Sequence, residues 1–335
     1  MNHSSTRLSQ ISNIRALAIF IVVLGHCIIL YSPGWGIYDT TQVVPFLATL
    51  KSIINIFQMP LFFSLSGYLF VFSHAKKRGF LNLIKSKVRR LLLPYLSICL
   101  LYLIPLRTLI HYPGYQNKSP EDVVSFLLLG TDVGHLWFLP TLFLVFLLAE
   151  LLMTLGEHLP FFNKHPDWFL YLGAVVLYLE GYRIFFGYQP LRSAYIYLLW
   201  FTAGYFLNRM QGLLKTLYRS TPVKVLLILA NIFLTVIYLR TEHAGLILSL
   251  GLPFLFFLNI YGLMPERTSP LVQKIDRNSF GIYLFHSPLI YITFTFIPNA
   301  MPLLVVFINL VVFGTAAYCL TELSRRCRLG FLIGE

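Results

Sequence analysis

An arginine and a histidine lie eleven residues apart in the first hydrophobic run, which reads Arg15-ALAIFIVVLG-His26. A helix advances about 100° and about 1.5 Å per residue, so both side chains share one face and lie roughly 16 Å apart along the axis. A buried histidine can accept a proton from a hydroxyl, and an arginine nearer the membrane edge can hold a phosphate or another anion. The pair therefore predicts a proton-transfer site for a long linear donor with one charged end.

A structural explanation of the same two residues stays open. Arg15 can extend to the lipid headgroups while its stem stays in hydrocarbon, and His26 can make a hydrogen bond to a neighbouring helix. Ionisable side chains inside a membrane are nevertheless costly and usually functional. The spacing alone does not choose between the two interpretations.

Three further segments contain candidate binding residues. In the second apolar run, Ser64, Ser66 and Gly67 are small among bulky neighbours, which lets another helix or a substrate approach closely. At the start of the fourth run, His135 and Trp137 fit a substrate entrance, although a tryptophan there also suits the aromatic belt at the membrane surface. Packing alone explains both segments equally well.

The third segment contains another histidine. His286 lies within the ninth run, and Tyr283 is three residues earlier on the same helical face, where it could hydrogen-bond to the imidazole. We therefore include both among the candidate substrate-binding residues, with a purely structural role as the alternative.

Basic residues concentrate between the second and third runs. We expect a loop there, and the segment from His74 to Arg90 carries the cations Lys76, Lys77, Arg78, Lys85, Lys87, Arg89 and Arg90. A phosphate-rich donor would meet several cations at once on such a loop, and Lys87, Arg89 and Arg90 are the candidates closest to the membrane. Anchoring to anionic lipid is the alternative role.

The composition places these residues in a membrane. Hydrophobic residues make up 57% of the chain and charged residues 12%, with a mean hydropathy of +0.72. Apolar runs of about twenty residues predict an all-α, polytopic helical bundle. We predict about ten spans, near residues 14–32, 46–72, 91–111, 135–156, 167–186, 193–208, 223–240, 244–263, 278–297 and 301–322.

The charge pattern indicates the orientation. Most of the 26 Lys and Arg residues fall on one side of the predicted spans, which places both termini in the cytoplasm. This distribution explains the net charge of +13 without nucleic acid. The four cysteines match no metal or redox spacing, so we expect neither disulfides nor a metal. Residues 1–335 are expected to form a single membrane domain with no appended soluble domain.

Taken together, these motifs resemble the membrane acyltransferase-3 family. The resemblance rests on Arg15-x10-His26, MPLFFSLSGY, Lys87-x-x-Arg90, HLWFLPTLF and the segment that ends at His286, which occur in the family's order. Within the family, the chain is most similar to sugar O-acetyltransferases, including the fucose 4-O-acetylase type. A bacterial cytoplasmic (inner) membrane location is implied.

The resemblance implies roles for individual residues. His26 corresponds to the presumed catalytic base, and Arg15 to an essential arginine associated with the acyl-CoA donor. Lys87 and Arg90 match the family's cytoplasmic Arg-x-x-Arg element, with lysine in place of the first arginine. The implied reaction moves an acyl group, with acetyl favoured, from acetyl-CoA to a hydroxyl of a cell-surface or lipid-linked glycan. The implied partners are thus acyl-CoA, a saccharide acceptor and membrane lipid; the oligomeric state is unknown.

Two other classes of function stay open. A transporter or flippase for a lipid-linked sugar or small anion also needs buried polar residues, although the sequence has no paired inverted halves with broken helices. A structural subunit of a polysaccharide complex is the third possibility, and it predicts that changing His26 affects stability alone.

Overall fold

The apolar runs form helices in the computed structural model, which describes residues 3–38, 42–74, 79–184, 187–241 and 245–335. The described residues contain helices and turns but no strand, so the predicted all-α class is confirmed. A helix satisfies its backbone hydrogen bonds internally, as hydrocarbon requires. The α-helices are, in chain order, α1 His3–Cys27, α2 Pro45–His74, α3 Phe80–Lys87, α4 Leu93–Ile98, α5 Ile104–Leu109, α6 Pro120–Leu129, α7 Phe138–His158, α8 Pro166–Glu180, α9 Gln189–Arg209, α10 Gln211–Leu217, α11 Thr221–Arg240, α12 Leu246–Leu263, α13 Pro270–Phe296, α14 Pro302–Phe307 and α15 Gly314–Arg326.

Seven helical stretches of the described residues are long and apolar enough to cross a membrane. They are Ser9–Cys27, Pro45–His74, Phe80–Leu109, Pro120–His158, Thr221–Arg240, Leu246–Leu263 and Pro302–Arg326. Each coincides with a predicted span, as expected for a multi-pass membrane protein. The other three predicted spans form helices α8, α9 and α13, which are not among the seven. The count of ten and the cytoplasmic termini therefore stay predictions.

The predicted boundary between the fifth and sixth spans differs from the structure. The span predicted at 167–186 is α8, which ends at Glu180 and continues only as a short 3-10 turn, Gly181–Arg183. Helix α9 then begins earlier than predicted, at Gln189, with Pro190 in its first turn. Proline fits there because the first N–H groups of a helix have no partner within the helix.

Two wide turns interrupt the stretch Phe80–Leu109. The π-helical segments Val88–Leu92 and Cys99–Leu103 each end two residues before a proline, Pro94 and Pro105 respectively. Proline lacks an N–H and its ring crowds the preceding turn, so a widened turn lets the helix continue. Residues 80–109 thus run as one helical stretch, and the basic residues at 85–90 lie on a helix, contrary to the predicted loop.

The described helices group into two compact units, each built from separate parts of the chain. Unit 1 comprises Met1–Leu65 and Arg209–Glu322, and unit 2 comprises Ser66–Asn208 and Leu323–Glu335. In unit 1, α1 packs along α13, and α11 packs against α12. In unit 2, α7 packs against α8. The single-domain assignment stays a prediction.

At Gly67, unit 2 has the close helix approach that the small residues of the second span predicted. A Cβ atom added to Gly67 of α2 would lie 2.7 Å from the carbonyl carbon of Phe201 in α9. Nearby, the Asn208 amide donates a hydrogen bond of 2.7 Å to the carbonyl oxygen of Tyr68. The missing side chain at Gly67 is therefore what allows the two helix backbones to meet.

Unit 2 also contains a fully buried arginine that we did not predict. Arg107, in α5, donates a 3.0 Å hydrogen bond to the backbone carbonyl of Asp132 and lies 3.4 Å from its carboxylate. The guanidinium also lies 4.1 Å from the centre of the Tyr112 ring. These contacts compensate for the burial of the charge and hold the end of α5 to the turn that precedes α7.

Candidate active site

Polar side chains of unit 1 fix the first half of helix α1. The Gln10 amide donates a 2.8 Å hydrogen bond to the carbonyl oxygen of Tyr261. The Asn13 amide donates to the carbonyl oxygens of Pro265 and Arg267, at 2.8 and 2.9 Å. Because these carbonyls belong to the end of α12 and the connection to α13, the bonds set the depth of α1 against α13.

Arg15 makes an ion pair with Asp276 of α13. Its Nε lies 2.7 Å from one carboxylate oxygen, and its Nη2 donates a 2.8 Å hydrogen bond to the other. Such two-point pairing holds a planar guanidinium in a defined orientation. The arginine side chain is 41% exposed, so its outer side is still accessible to an anion. A donor-binding role for Arg15 stays a prediction, and the structure adds a role in aligning α1 with α13.

The same alignment brings together two predicted residues, His26 and His286. Nδ1 of His26 lies 3.4 Å from Nε2 of His286, and the rings meet edge to face with their centres 5.0 Å apart. His286 is fully buried, whereas His26 is half-buried. The two contacts keep the same register along both helices. His26 lies eleven residues after Arg15 on α1, and His286 lies ten residues after Asp276 on α13.

Backbone carbonyls assign the tautomers of both rings. Nδ1 of His286 lies 3.0 and 2.9 Å from the carbonyl oxygens of Ile282 and Tyr283, and Nδ1 of His26 lies 2.8 Å from that of Val22. A carbonyl oxygen only accepts hydrogen bonds, so Nδ1 carries the proton in each neutral ring. Nε2 of His26 then carries the lone pair. His26 is thereby set to act as a base through Nε2.

Tyr283 contributes to this arrangement through its backbone. Its carbonyl accepts the hydrogen bond from His286, and its ring centre lies 6.2 Å from the imidazole. The sequence suggested a bond from the tyrosine hydroxyl. The structure thus gives Tyr283 a part in holding His286, and contact with a substrate stays a prediction.

Lys51 is a further charged residue near His26, and we did not predict it. It lies on α2, is only 7% exposed, and is close enough for its charge to act on the His26 ring. Its Nζ would lie 3.4 Å from a Cβ atom added to Gly25, the residue before His26. A signal was present in the sequence, since Lys51 is the only Lys or Arg in the apolar run 46–72. Such a residue is a functional candidate in its own right.

The predicted basic residues belong to unit 2. Arg89 and Arg90 are exposed and line a surface cavity of about 400 Å³ together with Lys85 and Glu335. The ammonium group of Lys87 instead lies 3.3 Å from the centre of the Phe146 ring, a cation–π contact that turns it toward α7. Three residues of the predicted cluster, Lys76, Lys77 and Arg78, lie outside the described residues.

The remaining candidates also lie in unit 2. His135 is buried at 5% exposure in the 3-10 segment Gly134–Trp137. Trp137 is half-buried, with its ring centre 5.5 Å from that of Tyr197. Ser66 is half-buried on α2. Their predicted contacts with an acceptor sugar stay predictions.

Within the described residues, no group of three or more His, Cys, Asp or Glu residues could hold a metal ion. The four cysteines, Cys27, Cys99, Cys319 and Cys327, are free thiols.

Comparisons with known proteins identify the family. The family model described as an acyltransferase domain, acyltransferase-3, matches residues 8–322. Nodulation protein NolL of Mesorhizobium japonicum is 30% identical over 164 residues, which cover 49% of this chain and 39% of that protein. No solved structure matches the chain significantly. From the family match, which includes both histidines, the chain belongs to the acyltransferase-3 family of membrane acyltransferases.

Proposed function

We propose that this protein transfers an acyl group, with acetyl favoured, from cytoplasmic acyl-CoA to a sugar hydroxyl of a cell-surface or lipid-linked glycan. His26 is the general base. The observation that carries the proposal is the histidine pair, in which backbone carbonyls leave the lone pair of His26 on Nε2. A base with a fixed tautomer and ring orientation is what attack by a hydroxyl requires.

The reaction proceeds by direct transfer. Nε2 of His26 takes the proton of the acceptor hydroxyl as the oxygen attacks the thioester carbonyl carbon. The tetrahedral intermediate then expels the CoA thiolate, which receives the proton from the imidazolium. The products are an ester and CoA thiol, so the histidine returns to its starting state. A covalent acyl-histidine relay is the alternative route to the same products.

The basic residues of unit 2 are assigned to the donor's phosphates, and the Arg15–Asp276 ion pair is assigned to the alignment of two helices. The cavity of Lys85, Arg89 and Arg90 supports phosphate binding by three neighbouring cations. Arg15 contributes by its pairing with Asp276, which keeps His26 opposite His286. His135 and Trp137 are the proposed acceptor contacts, because aromatic faces suit sugar rings.

The proposal is tested on the purified protein in detergent with acetyl-CoA and candidate acceptor glycans. We expect CoA thiol to appear in proportion to the acetyl ester formed, at a rate that increases with acceptor concentration. A transporter or flippase releases no thiol. Absence of acceptor-dependent thiol release with a panel of surface glycans and lipid-linked saccharides would count against the proposal.

The role of His286 gives a separate prediction. Glutamine places an amide oxygen near the position of Nε2 and can still accept a hydrogen bond from His26, whereas leucine cannot. His286→Leu is therefore expected to lower kcat by about 10- to 100-fold, as is typical when a partner that orients a reactive ring is lost. His286→Gln should retain most of the activity. Equal losses in both variants, measured by thiol release, would contradict an orienting role.

A further inference from the structure

Lys51 is a cation buried within an apolar membrane helix. Its exposure is 7%, and it lies inside the candidate span Pro45–His74. An ammonium group that loses water and meets no opposite charge is energetically unfavourable inside a membrane. The position therefore calls for a compensating group.

The described part of the chain provides no such group. Within those residues, Lys51 makes no hydrogen bond or ion pair. His26, on α1, lies close enough to interact with the Lys51 charge, but a histidine is a neutral base or a cation and cannot balance it. The compensating anion is then expected from a ligand or from the reaction.

The side-chain oxygen of Gln58 also lies close to Gly25. If Gly25 had a Cβ atom, Oε1 of Gln58 would lie 3.0 Å from it and Nζ of Lys51 would lie 3.4 Å from it. Oε1 of Gln58 is buried and accepts no hydrogen bond from the described residues, while the Gln58 amide nitrogen donates to Asn55 at 3.0 Å. A donor and an acceptor thus flank the backbone of Gly25, beside the proposed base.

We propose that Lys51 and Gln58 form a subsite for the thioester end of the acyl donor. Lys51 holds the carbonyl oxygen, and Gln58 accepts a hydrogen bond from the amide N–H that lies two carbons from the sulfur in acyl-CoA. This inference rests on the proposed function and extends it to the electrophile. Gly25 helps to keep the subsite open, since a Cβ atom there would lie 3.0 Å from Oε1 of Gln58, closer than an ordinary contact.

A cation at this position stabilises the negative charge that develops on the carbonyl oxygen during the step. When the hydroxyl oxygen attacks, its proton passes to Nε2 of His26, and the electron pair of the carbonyl bond moves onto oxygen. The oxyanion then lies beside the Lys51 ammonium, which needs no reorganisation because it is already desolvated. When the intermediate collapses, that electron pair re-forms the carbonyl, the carbon–sulfur bond breaks, and the thiolate takes the proton from His26. Removing one preorganised oxyanion contact typically lowers kcat by about 10²- to 10³-fold.

The experiment compares Lys51→Met and Gln58→Leu in the purified full-length protein. Lys51→Met is expected to lower kcat by about 10²- to 10³-fold with little change in the KM for acetyl-CoA. Its thermal stability should stay equal or rise, because an uncompensated buried charge is replaced by an apolar chain of similar length. Gln58→Leu is expected to act mainly on the KM for acetyl-CoA. Lys224→Met, on α11 of the same unit, is the matched control and should leave both parameters unchanged.

Either of the next two results would contradict the inference. A kcat of Lys51→Met within about threefold of wild type, small against the expected loss, would show that no oxyanion contact was removed. A fall in Tm that accompanies the loss of activity would indicate a structural cation. If Lys51→Met does not yield folded protein, Lys51→Gln is measured against the same criteria. Failure of the proposed function looks different, because the wild-type protein itself then releases no thiol.

Discussion

Replacing His26 with glutamine is expected to lower the rate of acyl transfer by about 10²- to 10⁴-fold, which is the usual contribution of a general base. Glutamine has no group that takes up a proton near neutral pH, although it occupies a similar volume. Since His26 is half-buried and glutamine can still donate a hydrogen bond to the carbonyl oxygen of Val22, the fold should persist. The measurement is thiol release and ester formation by the purified variant, with Tm recorded on the same sample.

His158→Gln is the matched control. His158 is an exposed residue of α7, and its Nδ1 lies 2.7 Å from the carbonyl oxygen of Thr154, the same local bond that His26 makes with Val22. This control should keep wild-type kcat. Full activity in His26→Gln would exclude His26 as the base, and a large drop in its Tm would favour the structural interpretation of this residue.

Gly67→Ala is expected to have the largest effect on stability. The added methyl group would meet the backbone carbonyl of Phe201, which cannot rotate away as a side chain can. Helices α2 and α9 would have to separate, which disturbs the Phe70–Phe201 ring contact, whose centres lie 5.3 Å apart, and the hydrogen bond from Asn208 to Tyr68. Overpacking of this kind costs about 1–3 kcal/mol and occasionally more, and backbone contact places Gly67 at the upper end.

The measurement is the Tm in detergent, with Gly251→Ala as the control. Gly251 lies in α12, and a Cβ added there meets no atom within 4 Å. Alanine at an open helical position should leave Tm unchanged or raise it, because alanine favours the helix by up to about 1 kcal/mol over glycine. Similar Tm values for Gly67→Ala and Gly251→Ala would contradict the close approach of the two backbones.

The sequence allowed much of the helical architecture to be predicted, because long apolar runs carry their own signal. It did not reveal where those helices begin, end or change their hydrogen-bonding pattern. The wide turns before Pro94 and Pro105 depend on how a helix accommodates a missing N–H, and residues 85–90, which were expected to form a loop, lie on a helix. Helix α8 is only 15 residues long, which its apolar composition did not indicate.

The site was only half predictable, for a geometric reason. Local spacing placed Arg15 and His26 on one face, because helical periodicity relates residues of the same element. The contacts of that face come from residues about 260 positions later, Asp276 and His286. Spacing within one run cannot specify the register between two helices. Lys51 stands alone in its apolar run, so spacing gives it no partner, whereas the structure buries it near His26.

Helices α1 and α13 run in the same direction, since the Arg15–Asp276 and His26–His286 contacts ascend both helices together. A chain reverses its direction at every membrane crossing, so if α13 crosses the bilayer as predicted, an odd number of crossings must separate it from α1. Of the seven apolar stretches in the described residues, five lie between α1 and α13, which is already odd. Helices α8 and α9 lie in the same interval. If each of the five stretches crosses once, parity couples α8 and α9: either both cross the bilayer or neither does. Showing that one of them crosses would then show that the other does too.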